Sequence, residues 1–253
     1  MSATQSTHGS GVSLNRDEGR PSIRLSLLKG FQLFCDQRSV GLPFSAQRLV
    51  AFLGLQERPI QRDNVASALW NDSSEEHAAA NLRSALWRLR RPGLEIVDVD
   101  GRRLQLSRFV VVDVREMTAI ARRVINPSDD LDLGGIDAIA LEGDVLPDWY
   151  EDWVMLERER FRQMRLHALE AMCERFTLAG RHAQAVEAGL TAVRGEPLRE
   201  SANRCLISAL LAQGNRLEAR RHLERFKELV RSELGVAVSA QMLALEAALF
   251  PSA

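Results

Sequence analysis

The segment Gly180-Arg-His-Ala-Gln-Ala185 returns 34 residues later as Gly214-Asn-Arg-Leu-Glu-Ala219, with Leu178 and Ala179 mapping onto Ala212 and Gln213. A self-similar period of this length confines the second half of the chain to stacked helix pairs. Each unit carries one apolar stripe that only its neighbours can bury, so the units must stack, with small residues where helices cross closely. A long amphipathic helix over residues 152–178 leads into the repeat. Such a stack offers grooves to proteins or to further copies of the chain and seldom carries catalysis on its own.

The 253 residues exceed one small core and suit two domains of ordinary size. Charge divides them. Through Val111 there are 15 Lys+Arg against 11 Asp+Glu, and from Val112 onward 18 against 23, so +4 and −5 make up the overall −1. The total argues against a generic nucleic-acid binder, whereas the division gives the two halves different partners. Nearly all the basic residues are Arg, the side chain suited to bidentate phosphate and guanine contacts.

The basic half changes period along its length. Ile23-Arg-Leu-Ser-Leu-Leu28, Phe31-Gln-Leu-Phe-Cys35 and Ser39-Val-Gly-Leu42 predict three short strands in a meander. Leu49, Phe52, Leu53 and Leu55 predict a helix capped by Ser45 and ending before Pro59. Asp63 is expected to cap a short helix with Val65, Ala66, Leu69 and Trp70. Between Glu75 and Arg91, at 100° per residue, Ala78, Ala79, Leu82, Ala85, Leu86 and Leu89 form a core stripe. The opposite side and flanks hold Asn81, Arg83, Ser84, Trp87, Arg88, Arg90 and Arg91, with no acid between Asn81 and Arg91.

A basic helix face is most often simply solvated. Two features favour DNA here: Trp87 is costly to leave in water, and a face without acids forgoes the i,i+4 pairs of ordinary surface helices. The arginines reach phosphates or guanine edges, Asn81 suits adenine, and Trp87 suits sugars or a thymine methyl. Pro92-Gly93 stops the helix. The alternating runs Glu95–Val99 and Arg103–Ser107 around Asp100-Gly101 then predict a hairpin whose tip carries Arg102 and Arg103. A basic hairpin after such a helix is the wing of a winged helix, lying against backbone or minor groove.

The acidic half opens with LEGDVLPDWYEDW over residues 141–153. A hydrolase built on Asp144, Asp148, Glu151 and Asp152 is the enzymatic reading. The simpler one makes Asp148 a helix cap and Trp149, Tyr150 and Trp153 packing between domains. Asp130-Leu-Asp-Leu-Gly134 lacks the remaining ligands of a calcium loop and reads as an acidic linker. Phosphate-binding loop, nucleophile elbow and Cys/His cluster are all missing, so no catalytic residue, cofactor or metal site is expected. Cys35, Cys173 and Cys205 form no disulfide framework, and His167, His182 and His222 lack ligand spacing. No apolar run approaches the about 20 residues of a membrane span, and residues 1–22 read as a disordered lead-in without a secretory h-region, which predicts a cytoplasmic protein.

The reading is thus mainly α. A winged helix-turn-helix (small β meander, three helices, β-hairpin wing) occupies 23–112, and an all-α domain of tetratricopeptide type, whose period is 34, occupies 113–253. The chain resembles the Streptomyces antibiotic regulatory protein (SARP) family of activators. Ala68-Leu-Trp70, Ala79-Ala-Asn-Leu-Arg-Ser84 and Leu86-Trp-Arg-Leu-Arg-Arg91 resemble its OmpR-type winged helix. Gly143-Asp-Val-Leu-Pro-Asp-Trp-Tyr-Glu-Asp-Trp153, Leu156-Glu-Arg-Glu-Arg160, Pro197-Leu-Arg-Glu-Ser201 and Ser232-Glu-Leu-Gly-Val236 resemble its bacterial transcriptional activation domain. The resemblance runs from about Ile23 to Leu249. It implies binding to direct repeats in double-stranded DNA, often as two side-by-side protomers, and contact with RNA polymerase, which the loop Asn71-Asp-Ser-Ser74 would face. No small-molecule ligand is implied. Many members carry Gly-Tyr at the wing, where Arg102 here follows Gly101. No receiver or ATPase domain accompanies the two halves, so receiver-type phosphorylation control is not expected. The remaining alternative is a helical-repeat adaptor whose winged helix binds protein.

Overall fold

The computed structural model describes residues 21–91, 94–126 and 143–249. The helix stop Pro92-Gly93, the linker Asp130–Gly134 and the lead-in up to residue 20 lie outside them.

The expected meander forms as β1 (Ile23–Ser26), β2 (Gln32–Cys35) and β3 (Arg38–Ser39). Alternation sets its inner face: Ile23, Leu25 and Leu33 are buried, while Arg24 and Gln32 face out. Asp36 and Gln37 take positive φ in the β2–β3 turn, and Asp36 is tied back by Ser22, whose N–H donates to Oδ1 at 2.9 Å. A fourth strand, β7 (Val110–Val112), joins in parallel beside β1, pairing Leu25 with Val112.

Three helices follow: α1 (Phe44–Leu55), α2 (Arg62–Leu69) and α3 (Glu75–Leu89). Two expected caps are corrected. Ser45 lies inside α1, because Pro43 carries the extended conformation that starts the helix and its carbonyl accepts from Ala46 and Gln47. Asp63 lies in the first turn of α2, because β4 (Ile60–Gln61) pairs with β6 (Arg103–Leu106) and fixes the helix start two residues earlier than expected. Ser74 caps α3, its Oγ accepting from the His77 N–H at 3.4 Å. The hairpin is β5 (Val97–Asp100) against β6, with Asp100 opposite Arg103 and Gly101 at φ +55° in the two-residue turn. β7 then leads directly into α4 (Asp113–Ile125).

The second half is α5 (Asp152–Leu178), α6 (His182–Gly195), α7 (Glu200–Ala212), α8 (Arg216–Leu234) and α9 (Ala240–Leu249). The repeat is visible bond by bond. Gly180 donates to Thr177 and Arg181 to Phe176; one period later Gly214 donates to Leu211 and Asn215 to Leu210. Both glycines have positive φ, which ends the first helix of each pair and turns the chain into the second. Ala185, Ala188, Ala192, Ala202 and Ala209 are fully buried at the crossings. A Cβ on Gly189 would lie 3.1 Å from the Leu206 Cα, so α6 and α7 meet almost backbone to backbone.

Packing is continuous across the two halves. Val145, Leu146, Val154 and Phe161 belong to the same core as Leu25, Leu49 and Leu82. Leu146 donates to Leu27 O and Lys29 to Asp144 O, while the Asp113 carboxylate accepts from the Leu27 and Leu28 N–H groups. Trp149 stacks on Phe31, with ring centres 6.1 Å apart, and Trp153 meets Phe52 edge-on. Tyr150 does not share this role: it is 82% exposed. Asp148 is not a cap either, since α5 begins at Asp152 with Glu151 before it.

Candidate nucleic-acid interface

α3 buries Ala78, Leu82, Ala85 and Leu89, with Ala79 and Leu86 partly covered, as the stripe requires. Asn81, Arg83, Ser84, Trp87, Arg88, Arg90 and Arg91 are all exposed, and Trp87 is 73% exposed. They do not form one uniform face. Arg88 reaches across to α1 and donates to Ser45 Oγ at 3.3 Å, while Arg91 donates to the Gly41 carbonyl at 3.1 Å. Arg83, Trp87 and Arg90 turn the other way, toward the hairpin. Ser84 and Asn81 lie on the Arg88 side.

The hairpin side is a groove of about 1010 Å³ between α3 and β5. Arg62, Arg83, Arg90 and Arg91 line it, with Glu95 and Asp98 along its far wall and Trp87 and Val99 among its apolar contacts. Among the described residues, the side chains of Arg62, Arg83 and Arg90 make no ion pair or hydrogen bond. With four guanidinium groups against two carboxylates, the open groove favours an anion. Arg62 escaped the sequence reading because its helix start depends on β4, two residues paired with a strand more than 40 positions away.

At the hairpin tip, Arg102 and Arg103 are both exposed but are not equivalent. Arg102 donates to Asp63 Oδ2 at 2.5 Å. Arg103 is held through its backbone opposite Gln61 and Asp100, leaving its side chain without a partner among the described residues.

The proposed hydrolase residues are spoken for or scattered. Glu151 Oε2 accepts from Arg48 Nη2 at 2.7 Å and from Trp153 Nε1 at 2.6 Å. Arg48 also donates to the Leu69 carbonyl and lies over the Trp70 ring, which ties the end of α2 to the start of α5. Asp144 faces Arg165 at 4.0 Å, and Asp148 is exposed. Burial pushes the Cys173 thiol up to about 12 and raises that of Cys205, so both stay protonated and unreactive. No group of His, Cys, Asp and Glu among the described residues is arranged to hold a metal. Among the described residues, no helix is long and apolar enough to cross a membrane.

Residues 136–250 match the family model of the bacterial transcriptional activator domain. The chain is 25% identical over 231 residues to the regulatory protein AfsR of Streptomyces coelicolor, an alignment covering 87% of this chain and 23% of that protein. It therefore spans about a quarter of the length of this relative. The fold is also that of Mycobacterium tuberculosis EmbR, solved in complex with a low-affinity phosphopeptide, with a TM-score of 0.71 at 19% identity over 92% of this chain and 66% of the other. The second half thus matches a bacterial transcriptional activator domain, the chain as a whole is similar to a regulatory protein, and its fold is the one that EmbR adopts.

Proposed function

We propose that the chain is a sequence-specific, DNA-binding transcriptional activator in which residues 23–112 bind DNA and residues 113–253 serve assembly. The supporting observation is the exposed, acid-free stretch from Asn81 to Arg91 beside an arginine-lined groove. α3 enters the major groove, where Arg83, Ser84, Arg88 and Arg91 carry most contacts, assisted by Asn81, Trp87 and Arg90. A sugar–phosphate strand runs between α3 and β5, and Arg103 at the hairpin tip follows it toward the minor groove. Two protomers bind side by side on direct repeats, the helical domain and the loop Asn71–Ser74 contact RNA polymerase, and the protein acts in the cytoplasm.

Fluorescence anisotropy with the promoter fragment nearest the chain's own gene tests this reading. Wild type binds with an affinity that falls steeply with salt, and Arg88→Ala weakens it. A flat titration at low salt favours the adaptor reading instead, and an unchanged affinity and salt dependence for Arg88→Ala removes the role given to α3.

A further inference from the structure

We infer that Asp63 acts as an internal competitor for DNA phosphate, holding the hairpin-tip Arg102 out of the interface and thereby limiting the protein's affinity. The inference rests on the DNA-binding reading and adds a residue that opposes binding. The hairpin tip carries two adjacent arginines, yet their situations differ. The Arg102 guanidinium is 2.5 Å from Asp63 Oδ2, with both side chains open to solvent, at 75% and 71% exposure. Arg103 has no such partner among the described residues.

The pairing is built into the fold. β4 aligns Ile60 with Leu104 and Gln61 with Arg103, and the Arg62 N–H donates to the Arg102 carbonyl at 2.8 Å. This ladder brings the first turn of α2 up to the hairpin tip, beside Arg62 at the end of the arginine-lined groove. A carboxylate held there occupies the position of an incoming phosphate oxygen. Both are oxyanions that accept charge-assisted hydrogen bonds from a guanidinium. Asp63 also suits the first turn of a helix through the macrodipole, so its effect on the fold must be separated from its effect on binding. Being solvated, the pair adds little to stability, and its removal leaves a folded protein in which Arg102 is free.

A double-mutant cycle on the full chain, read by anisotropy on the promoter fragment across a salt series, tests the inference. Asp63→Asn should tighten binding about three- to tenfold at about 0.1 M salt and steepen the log–log salt slope by about 0.9, the increment for one further phosphate contact. Asp63→Glu, which can still reach Arg102, should behave as wild type. Arg102→Ala alone should change affinity less than about twofold, and in its presence Asp63→Asn should give no gain. A gain that survives Arg102→Ala reflects long-range charge and overturns the inference, as does an Asp63→Asn slope equal to that of wild type. Thermal melts of each variant separate a folding defect from a binding effect. If wild type itself does not bind DNA, the functional reading fails together with the inference; if wild type binds and depends on Arg88 while Asp63→Asn is neutral, the inference alone fails.

Discussion

Trp87 shows at the scale of one side chain what could be read in advance and what could not. Its exposure followed from helical periodicity, because a residue about 140° from the core stripe has nowhere to pack. Since it contributes little to the core, Trp87→Ala should change unfolding free energy by about 0.5 kcal/mol or less while weakening promoter binding; equal losses in both measurements would make it a packing residue. The commitments of the arginines were not legible. Arg102 meets Asp63 and Arg91 meets Gly41 across 39 and 50 residues of chain, and such contacts depend on tertiary geometry that periodicity does not encode. Glu157 is another residue visible only in the fold. Burial raises its carboxyl above the usual range, outweighing the Arg160 charge that lowers it. The folded chain therefore holds this proton more tightly than the unfolded chain. The resulting stabilisation is complete below the ordinary glutamate pKa and is lost as pH rises through the higher folded value. Glu157→Gln should raise Tm at neutral pH, with the gain vanishing in acid, and a neutral-pH Tm no higher than that of wild type would contradict the burial argument.

Legibility followed element length only in part, since α4, with 13 residues, was not read from the sequence. The 27 residues of α5 and the 15 of α3 carry enough turns to declare their period, and the repeat located the α5–α6 and α7–α8 turns through Gly180 and Gly214. β4 has two residues and β7 three, too few for alternation to register, yet β4 is the strand that braces the hairpin and displaces the Asp63 cap. Gly189 carries a prediction at this scale. With Leu206 already 3.1 Å from its missing Cβ, Gly189→Leu must drive α6 and α7 apart, costing about 1–3 kcal/mol in a denaturant titration. An unchanged midpoint would show that the two helices have slack.

In the whole molecule the two halves are joined more closely than a change of charge and composition suggests. Sequence reasoning anticipated that Trp149 and Trp153 pack between them; it did not anticipate that Val145, Leu146, Val154 and Phe161 complete the core of the winged helix. These residues lie in and just after the segment 141–153, and their partners lie far earlier in the chain, so the signal was split between distant segments. A fragment ending at Val112 should accordingly melt well below the intact chain, and an equal Tm would mean that the first half is self-sufficient. The Arg48–Glu151 pair, half-buried and bonded to both the Leu69 carbonyl and Trp153, fixes the end of α2 against α5. Its place in the fold gives the helical domain a direct connection to the winged-helix half.

The salt dependence of promoter binding for Arg83→Ala/Arg90→Ala is the most direct measurement. If these two unpaired groove arginines grip phosphates, the variant binds more weakly and its log–log slope is shallower than that of wild type by about 1.8, two contacts at about 0.9 each. An affinity and slope indistinguishable from wild type, in a variant with the same Tm, would mean that DNA does not occupy the groove beside α3.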